Sequence, residues 1–102
     1  MMITERGNTL RFSGESVARI IIRDGGACLA CGRPASDIAH YVRRSQGGLG
    51  VPQNGGCMCR SCHCEYDSRL NEGLADTFRE HLRAHYESWD MMRLVQLTAE
   101  RR

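Results

Sequence analysis

The chain has 102 residues, a length that favours one small domain over two. Its formal charge of +2 is too small to indicate a nucleic-acid or membrane partner, and its longest aliphatic run, Ile20-Ile21-Ile22, is far too short to span a membrane. All fourteen basic residues are arginine, which suits bidentate phosphate contacts but is more simply explained by a GC-rich genome.

The N-terminal part of the chain predicts one helix and one strand. Residues 1–12 carry no strong periodicity and are interpreted as a mobile arm or a short strand. Ser13 is a typical helix N-cap, and apolar residues follow it at helical spacing up to Asp24, where two glycines predict the end of the helix. A short strand is predicted over residues 38–42.

The C-terminal part predicts a loop, a return strand and two further helices. Residues 45–56 hold five glycines and a proline, so we expect a loop there and a strand over 56–59. Helices are predicted over 63–70 and about 74–87, separated by a break at 71–73, and a final short strand over 94–97. The last helix carries an apolar stripe made of Leu74, Phe78, Leu82 and Tyr86.

The cysteines form two matched pairs, each enclosing two residues. A Cys-x-x-Cys turn presents two sulfurs to one ion, and Zn²⁺ favours four tetrahedral thiolates in a closed, structural site. A structural metal would also stabilise a chain whose core is small. We therefore predict a zinc site. Its expected ligands are Cys28, Cys31, Cys59 and Cys62.

Two more cysteines flank the second pair. Cys57 and Cys64 could substitute as ligands, but only Cys59 and Cys62 keep the usual two-residue gap. Because the cysteines are clustered and the first ten residues lack the apolar run of a signal peptide, we expect a reduced, cytoplasmic protein. A thiol redox protein is an alternative interpretation, and it would require labile cysteines of low pKa.

Four polar residues lie between and beside the two cysteine pairs. His40 suits a general base at neutral pH. Asn54 has acceptor and donor groups that can pin a loop or orient an imidazole. His63 and Asp67 are four residues apart on a predicted helix, a spacing that suits a half-site for a divalent cation.

These residues together resemble the HNH nuclease family, also called ββα-metal nucleases, over about residues 25–70. The resemblance implies an α+β fold in which a two-stranded hairpin packs on a helix, with a four-cysteine zinc knuckle pair and flanking helices. The C-terminal part, from Phe78 to Leu97, resembles the helix that ends many small phage and prophage members. The matching segments are Cys28–Gly32, Ala39–Val42, Arg44–Gly48, Pro52–Asn54 and Cys59–His63.

The resemblance also implies a reaction and a role for each residue. His40 corresponds to the general base that activates water, Asn54 to the residue that positions it, and His63 to a ligand of the catalytic ion, with Asp67 as a further ligand. The expected activity is metal-dependent hydrolysis of DNA phosphodiester bonds, leaving a 5′-phosphate and a 3′-hydroxyl. Mg²⁺ or Mn²⁺ is the expected ion, with Ni²⁺ or Zn²⁺ as alternatives.

One position departs from the family pattern. Ala39 stands where the family usually places His or Asp as a metal ligand, and Asp37 could replace it only if the strand were bulged. The alternative function is therefore a zinc-stapled nucleic-acid-binding module with impaired catalysis.

Three arginines next to the motif are candidates for phosphate contacts: Arg43, Arg44 and Arg60. The expected partner is DNA, with RNA as an alternative because such a motif acts on the backbone. The protein is expected to act as a monomer that nicks one strand or as a homodimer that cuts both.

Overall fold

The computed structural model describes residues 10–69 and 71–95. Within these ranges the chain has an α+β architecture of three helices and one two-stranded antiparallel sheet, as predicted. Short 3₁₀ turns lie in the connections, and none of the helices in the described ranges has the length and apolar character needed to cross a bilayer. The elements are α1 (Gly14–Asp24), β1 (Asp37–His40), β2 (Gly55–Met58), α2 (Arg60–Ser68) and α3 (Glu72–His85).

Helix α1 forms as its sequence predicts. The Ser13 side chain accepts a hydrogen bond from the backbone N–H of Ser16 at 3.1 Å, which satisfies one of the free donors of the first turn. The helix ends at Gly25, whose φ of 69° lies in the left-handed region that glycine adopts without strain. Ile20 is fully buried and fixes the inward face of α1 against the sheet.

The hairpin is shorter and earlier in the chain than predicted. β1 covers Asp37–His40 rather than 38–42, and β2 begins at Gly55 rather than 56. Asp37 pairs with Met58 and His40 with Gly55, in a regular antiparallel register. The ladder ends at the His40–Gly55 pair. Beyond it, the Asn54 side chain holds the connection between the strands by hydrogen bonds to the backbone of Val42 and Leu49.

Both C-terminal helices begin before their predicted starts. Helix α2 starts at Arg60 with Cys59 as its N-cap, so the second cysteine pair belongs to the first helical turn and does not precede it. Helix α3 starts at Glu72, because the Asn71 side chain caps it by accepting from the N–H of Gly73 at 3.0 Å. Residues 71–73, predicted as a break, therefore form the beginning of a helix, which ends at His85.

The core lies between the hairpin and helices α2 and α3. Leu74, Phe78 and Leu82 of the predicted apolar stripe are buried. Phe78 meets Tyr41 and Tyr66 edge to face, with ring centroids 5.4 and 5.3 Å apart, a favourable geometry for aromatic pairs. This packing fixes α3 to α2 and to the residue that follows β1.

The predicted C-terminal strand is wrong as far as the described residues extend. Met91–Leu94 form a 3₁₀ turn, with Leu94 buried against the core. Val95 makes a single isolated bridge to Gly48, and Leu97 lies outside the described residues.

A buried ionic network joins α1 to the hairpin and to α3. The Asp24 side chain is only 1% exposed and pairs with Arg23, whose Nε lies 2.6 Å from Oδ1. Asp24 also accepts from the N–H of Cys57 at 2.9 Å and from the Nε2–H of His81 at 2.8 Å. Arg23 in turn donates to the carbonyl of Gly55 at 2.7 Å. Burial alone would raise the pKa of Asp24, but these donors lower it well below its usual range.

Candidate metal sites and a candidate active-site cleft

Four cysteines come together as predicted. The Sγ atoms of Cys28, Cys31, Cys59 and Cys62 lie within 4.8 Å of one another, and those of Cys31 and Cys59 are 3.7 Å apart. Bonds of about 2.3 Å in a tetrahedral site place neighbouring sulfurs about 3.8 Å apart, so the cluster has the dimensions to hold one metal ion. Within the described ranges, this is the one group of His, Cys, Asp and Glu with such an arrangement.

The first cysteine turn is shaped by backbone hydrogen bonds. Gly32 adopts a φ of 81° and donates its N–H to the carbonyl of Cys28 at 2.9 Å, while the N–H of Cys28 donates to the carbonyl of Arg33 at 2.7 Å. Burial raises the pKa of the Cys28 thiol, but the nearby N–H groups of Cys59, Cys31 and Ala30 oppose this and lower the pKa to about 6. The thiolate, which is the form that binds metals, is thereby favoured.

The other two cysteines lie outside the cluster. Cys57 is 1% exposed on β2, with its Sγ near the carbonyl of Ile20, and burial raises its pKa to about 11. Cys64 is exposed on α2. Neither is among the four clustered thiols, so the alternative ligand set that includes them is not the one that the fold assembles.

A cleft of about 730 Å³ opens between β1, the N-terminal end of the described chain, and α2. Its lining contains five residues that were predicted from the sequence as site residues and four that were not. The predicted residues are His40, His63, Asp67, Arg43 and Arg44, and the unpredicted ones are Arg11, Phe12, Ile38 and Ser45.

His40, the predicted general base, is the last residue of β1. Its Nε2 lies 2.8 Å from the carbonyl oxygen of Leu10, and the Phe12 ring lies over the imidazole with centroids 4.1 Å apart. Because a carbonyl can only accept, Nε2 carries the proton and Nδ1 the lone pair. Burial lowers the pKa of His40, with nearby Arg44 acting in the same direction, so the ring is neutral at pH 7.

Asn54 is fully buried and pins the connection between the strands. Its Oδ1 accepts from the N–H of Val42 at 2.8 Å, and its Nδ2 donates to the carbonyls of Val42 at 3.1 Å and Leu49 at 2.8 Å. Its backbone carbonyl also accepts from the N–H of Tyr41, directly after His40. Asn54 thus fixes the backbone next to His40 and does not contact the imidazole through these bonds.

His63 lies on the first turns of α2 between two carboxylates. Its Nδ1 is 2.8 Å from Oδ2 of Asp37, and its Nε2 is 3.3 Å from Oδ2 of Asp67. The carboxylates thus face opposite nitrogens of one ring, so they cannot share one ion with it. The hydrogen bond from His63 is the main cause that lowers the pKa of Asp37 to about 2. Asp67 is therefore the carboxylate that can act with His63 at the cleft.

Ala39 cannot contribute to the cleft. It is fully buried and paired with Gly56 in a regular register, which leaves no bulge that would bring another side chain to its position. Asp37, two residues earlier, contacts His63 from the side of Nδ1 instead. This contact spans 26 residues of sequence, and no local pattern signals it.

The three candidate arginines separate into two groups. Arg43 and Arg44 line the cleft, and Arg43 donates to the backbone carbonyl of Asp67. Arg60 does not line it. It lies on the far side of His63, where its Nε is 2.9 Å from Oδ2 of Asp37, although its side chain remains 75% exposed. Arg60 lines a neighbouring depression together with His63 and Asp67, so its role in phosphate binding stays a prediction.

Comparisons with known protein families and with curated proteins find no match to this chain.

Proposed function

We propose that the protein is a metal-dependent DNA endonuclease with an HNH-type, ββα-metal site. The observation that carries the proposal is the cleft, where His40, His63 and Asp67 lie with Arg43 and Arg44. A neutral imidazole, a nitrogen–carboxylate donor pair and cationic side chains are the groups that hydrolysis of a phosphodiester requires. The hairpin followed directly by the helix that carries His63 supports the finer assignment of the fold.

The four clustered cysteines are proposed to hold a structural Zn²⁺. The spacing of their sulfurs supports a tetrahedral thiolate site, and all four positions are filled by protein ligands. Such a closed site leaves no position for substrate, so its role is to fix the turn after α1 to the start of α2. The proposed hydrolysis takes place in the separate cleft that contains His40 and His63.

His40 is proposed to take a proton from the attacking water. Because Nε2 donates to Leu10, the proton is accepted at Nδ1. The lowered pKa keeps the imidazole in the basic form at neutral pH. Arg43 and Arg44 bind and orient the phosphate, and Asn54 holds the backbone next to the base.

His63 and Asp67 are the residues that would hold a catalytic ion, with Mg²⁺ or Mn²⁺ as the leading candidates and Ni²⁺ or Zn²⁺ as alternatives. Their donor atoms lie 3.3 Å apart, close to the roughly 3 Å that separates adjacent ligands of an octahedral ion. When bound, such an ion stabilises the charge on the scissile phosphate and the leaving 3′ oxygen. Asp37 accepts from the Nδ1–H of His63 and so directs the Nε2 lone pair towards Asp67.

A second candidate function is a zinc-stapled nucleic-acid-binding module. The burial of Ala39 favours it, because the cleft then offers two protein donors to an ion instead of three. RNA is an alternative substrate or ligand for either function, since the arginines address the backbone and not the sugar.

Nicking of supercoiled plasmid tests the proposed function. We expect zinc-loaded protein to nick with Mg²⁺ or Mn²⁺ and not without an added divalent ion. His40→Ala should lower the rate about 100-fold or more, as loss of a general base does. His85→Ala, which removes an exposed histidine on α3, is the matched control and should retain activity. Equal nicking by His40→Ala would contradict the assignment, and DNA binding without nicking would support the binding module.

Asp37→Asn tests how His63 is oriented. We expect Mn²⁺ affinity, measured by electron paramagnetic resonance of the free ion, to fall about 10- to 100-fold, as it does when the outer partner of a ligating histidine is lost. Asp76→Asn is the control, because Asp76 is an exposed acid on α3 that pairs with Arg79, three residues further along the same helix. Unchanged Mn²⁺ affinity in Asp37→Asn would show that the carboxylate does not orient the ligand.

A further inference from the structure

We propose that residues 10–12 are a positioning element of the active site, seated in a groove that exists because residues 50 and 55 are glycines. The catalytic consequence of this inference rests on the proposed nuclease function, whereas its geometry does not. The segment is the end of residues 1–12, which the sequence analysis interpreted as a mobile arm or a short strand.

Two contacts join the segment to His40. The Leu10 carbonyl accepts from Nε2 at 2.8 Å, and the Phe12 ring lies at 34° to the imidazole with centroids 4.1 Å apart. The first contact fixes which nitrogen carries the proton, and the second limits rotation of the ring. Together they restrict a half-buried side chain to one orientation at the edge of the cleft.

Residues 10–12 pack against Gly50 and Gly55, where any side chain would overlap the segment. A Cβ at Gly50 would overlap the carbonyl carbon and oxygen of Arg11, and it would lie 2.7 Å from the N of Phe12. A Cβ at Gly55 would lie 2.7 Å from the Phe12 ring. The same Cβ would lie 2.6 Å from Cδ1 of Ile20. Gly55 has a φ of −132°, which any residue can adopt, so its lack of a side chain serves the packing of Phe12 and Ile20 and not the backbone conformation.

The same seat directs Arg11 to the cleft. Arg11 lines it together with Arg43 and Arg44, so the segment adds a third guanidinium to the two that the connection between the strands supplies. A phosphate backbone that enters the cleft therefore meets cationic side chains from two separate parts of the chain. The segment thereby links substrate contact to the orientation of the base.

Gly50→Ala tests the inference, because the added methyl group displaces the segment without altering His40 or residues 10–12. In the wild-type protein we expect NMR to show an Nε2–H proton of His40 that is protected from exchange, and C–H protons of His40 that are shifted by the Phe12 ring current. Gly50→Ala should lose both signals and nick plasmid about 10- to 100-fold more slowly, since small misplacements of a catalytic group have effects of this size. Gly14→Ala is the control, because a Cβ there meets nothing within 4 Å.

Phe12→Leu keeps the inference testable if Gly50→Ala does not fold, as judged by its zinc content. It should lose the ring-current shift and slow nicking while the glycine seat remains. The inference is overturned if the wild type lacks the two signals, if folded Gly50→Ala keeps them, or if a variant that loses them nicks at the wild-type rate. Wild-type protein that shows both signals but never nicks would overturn the nuclease proposal and leave the seating of the segment intact.

Discussion

Removal of the metal from the four-cysteine cluster is expected to unfold the protein. In small zinc-binding domains the metal contributes about 10–16 kcal/mol, which is comparable with the roughly 5–15 kcal/mol that separates folded from unfolded states of most domains. The cluster joins the turn after α1 to the first turn of α2, two regions 28 residues apart along the chain between Cys31 and Cys59. Circular dichroism during chelation should therefore show loss of helix together with release of a single zinc ion per chain.

Two cysteine variants on the same helix separate the metal from thiol chemistry in general. Cys62→Ser removes a clustered thiolate and should abolish stoichiometric zinc binding and cooperative unfolding. Cys64→Ser, two residues along α2, removes an exposed thiol outside the cluster and should behave as wild type. If both variants bound zinc equally well, the ligand assignment would be wrong.

Asp24→Asn is expected to destabilise the zinc-loaded protein by about 3–5 kcal/mol. The change removes the charge from the carboxylate that pairs with Arg23, whose side chain is 10% exposed, and so leaves a buried guanidinium without its counter-ion. It also weakens the contacts of Asp24 with His81 of α3 and with the backbone of Cys57. Urea denaturation at constant zinc concentration measures the difference.

Glu15→Gln is the matched control for Asp24→Asn. It also removes a carboxylate from α1 that pairs with an arginine, Arg19 at 2.8 Å, but both side chains are more than 60% exposed. An exposed pair of this kind contributes less than about 1 kcal/mol. The network would lose its assigned role if the two substitutions cost the same free energy of unfolding.

The sequence predicted the elements whose signals are local. Ser13 and Gly25 cap the two ends of α1 as expected, and the spacing of the cysteines identified the four thiols that cluster. The start of α2 was missed because a Cys-x-x-Cys pair was interpreted as a separate turn. Residues three apart also share one helical turn, so Cys59 and Cys62 present both sulfurs from the beginning of a helix.

The parts of the site that could not be predicted depend on distant contacts. Asp37 reaches His63 across 26 residues, and Leu10 reaches His40 across 30. The seat for Phe12 depends on a side chain that is absent at Gly55, and glycine in a loop-like sequence is normally interpreted as a turn signal. Helical and strand periodicity carry no information about either kind of contact.

Cys62 directly precedes His63, so the cleft depends on the cysteine cluster for its geometry. The turn of α2 that supplies sulfurs to the cysteine cluster also sets the orientation of the imidazole in the cleft. A chelator strong enough to strip the cluster would therefore inactivate the cleft indirectly, without ever touching an ion bound there. With the proposed structural zinc in the cluster, sensitivity to such a reagent would report folding, and the supply of zinc would control any activity that His63 supports.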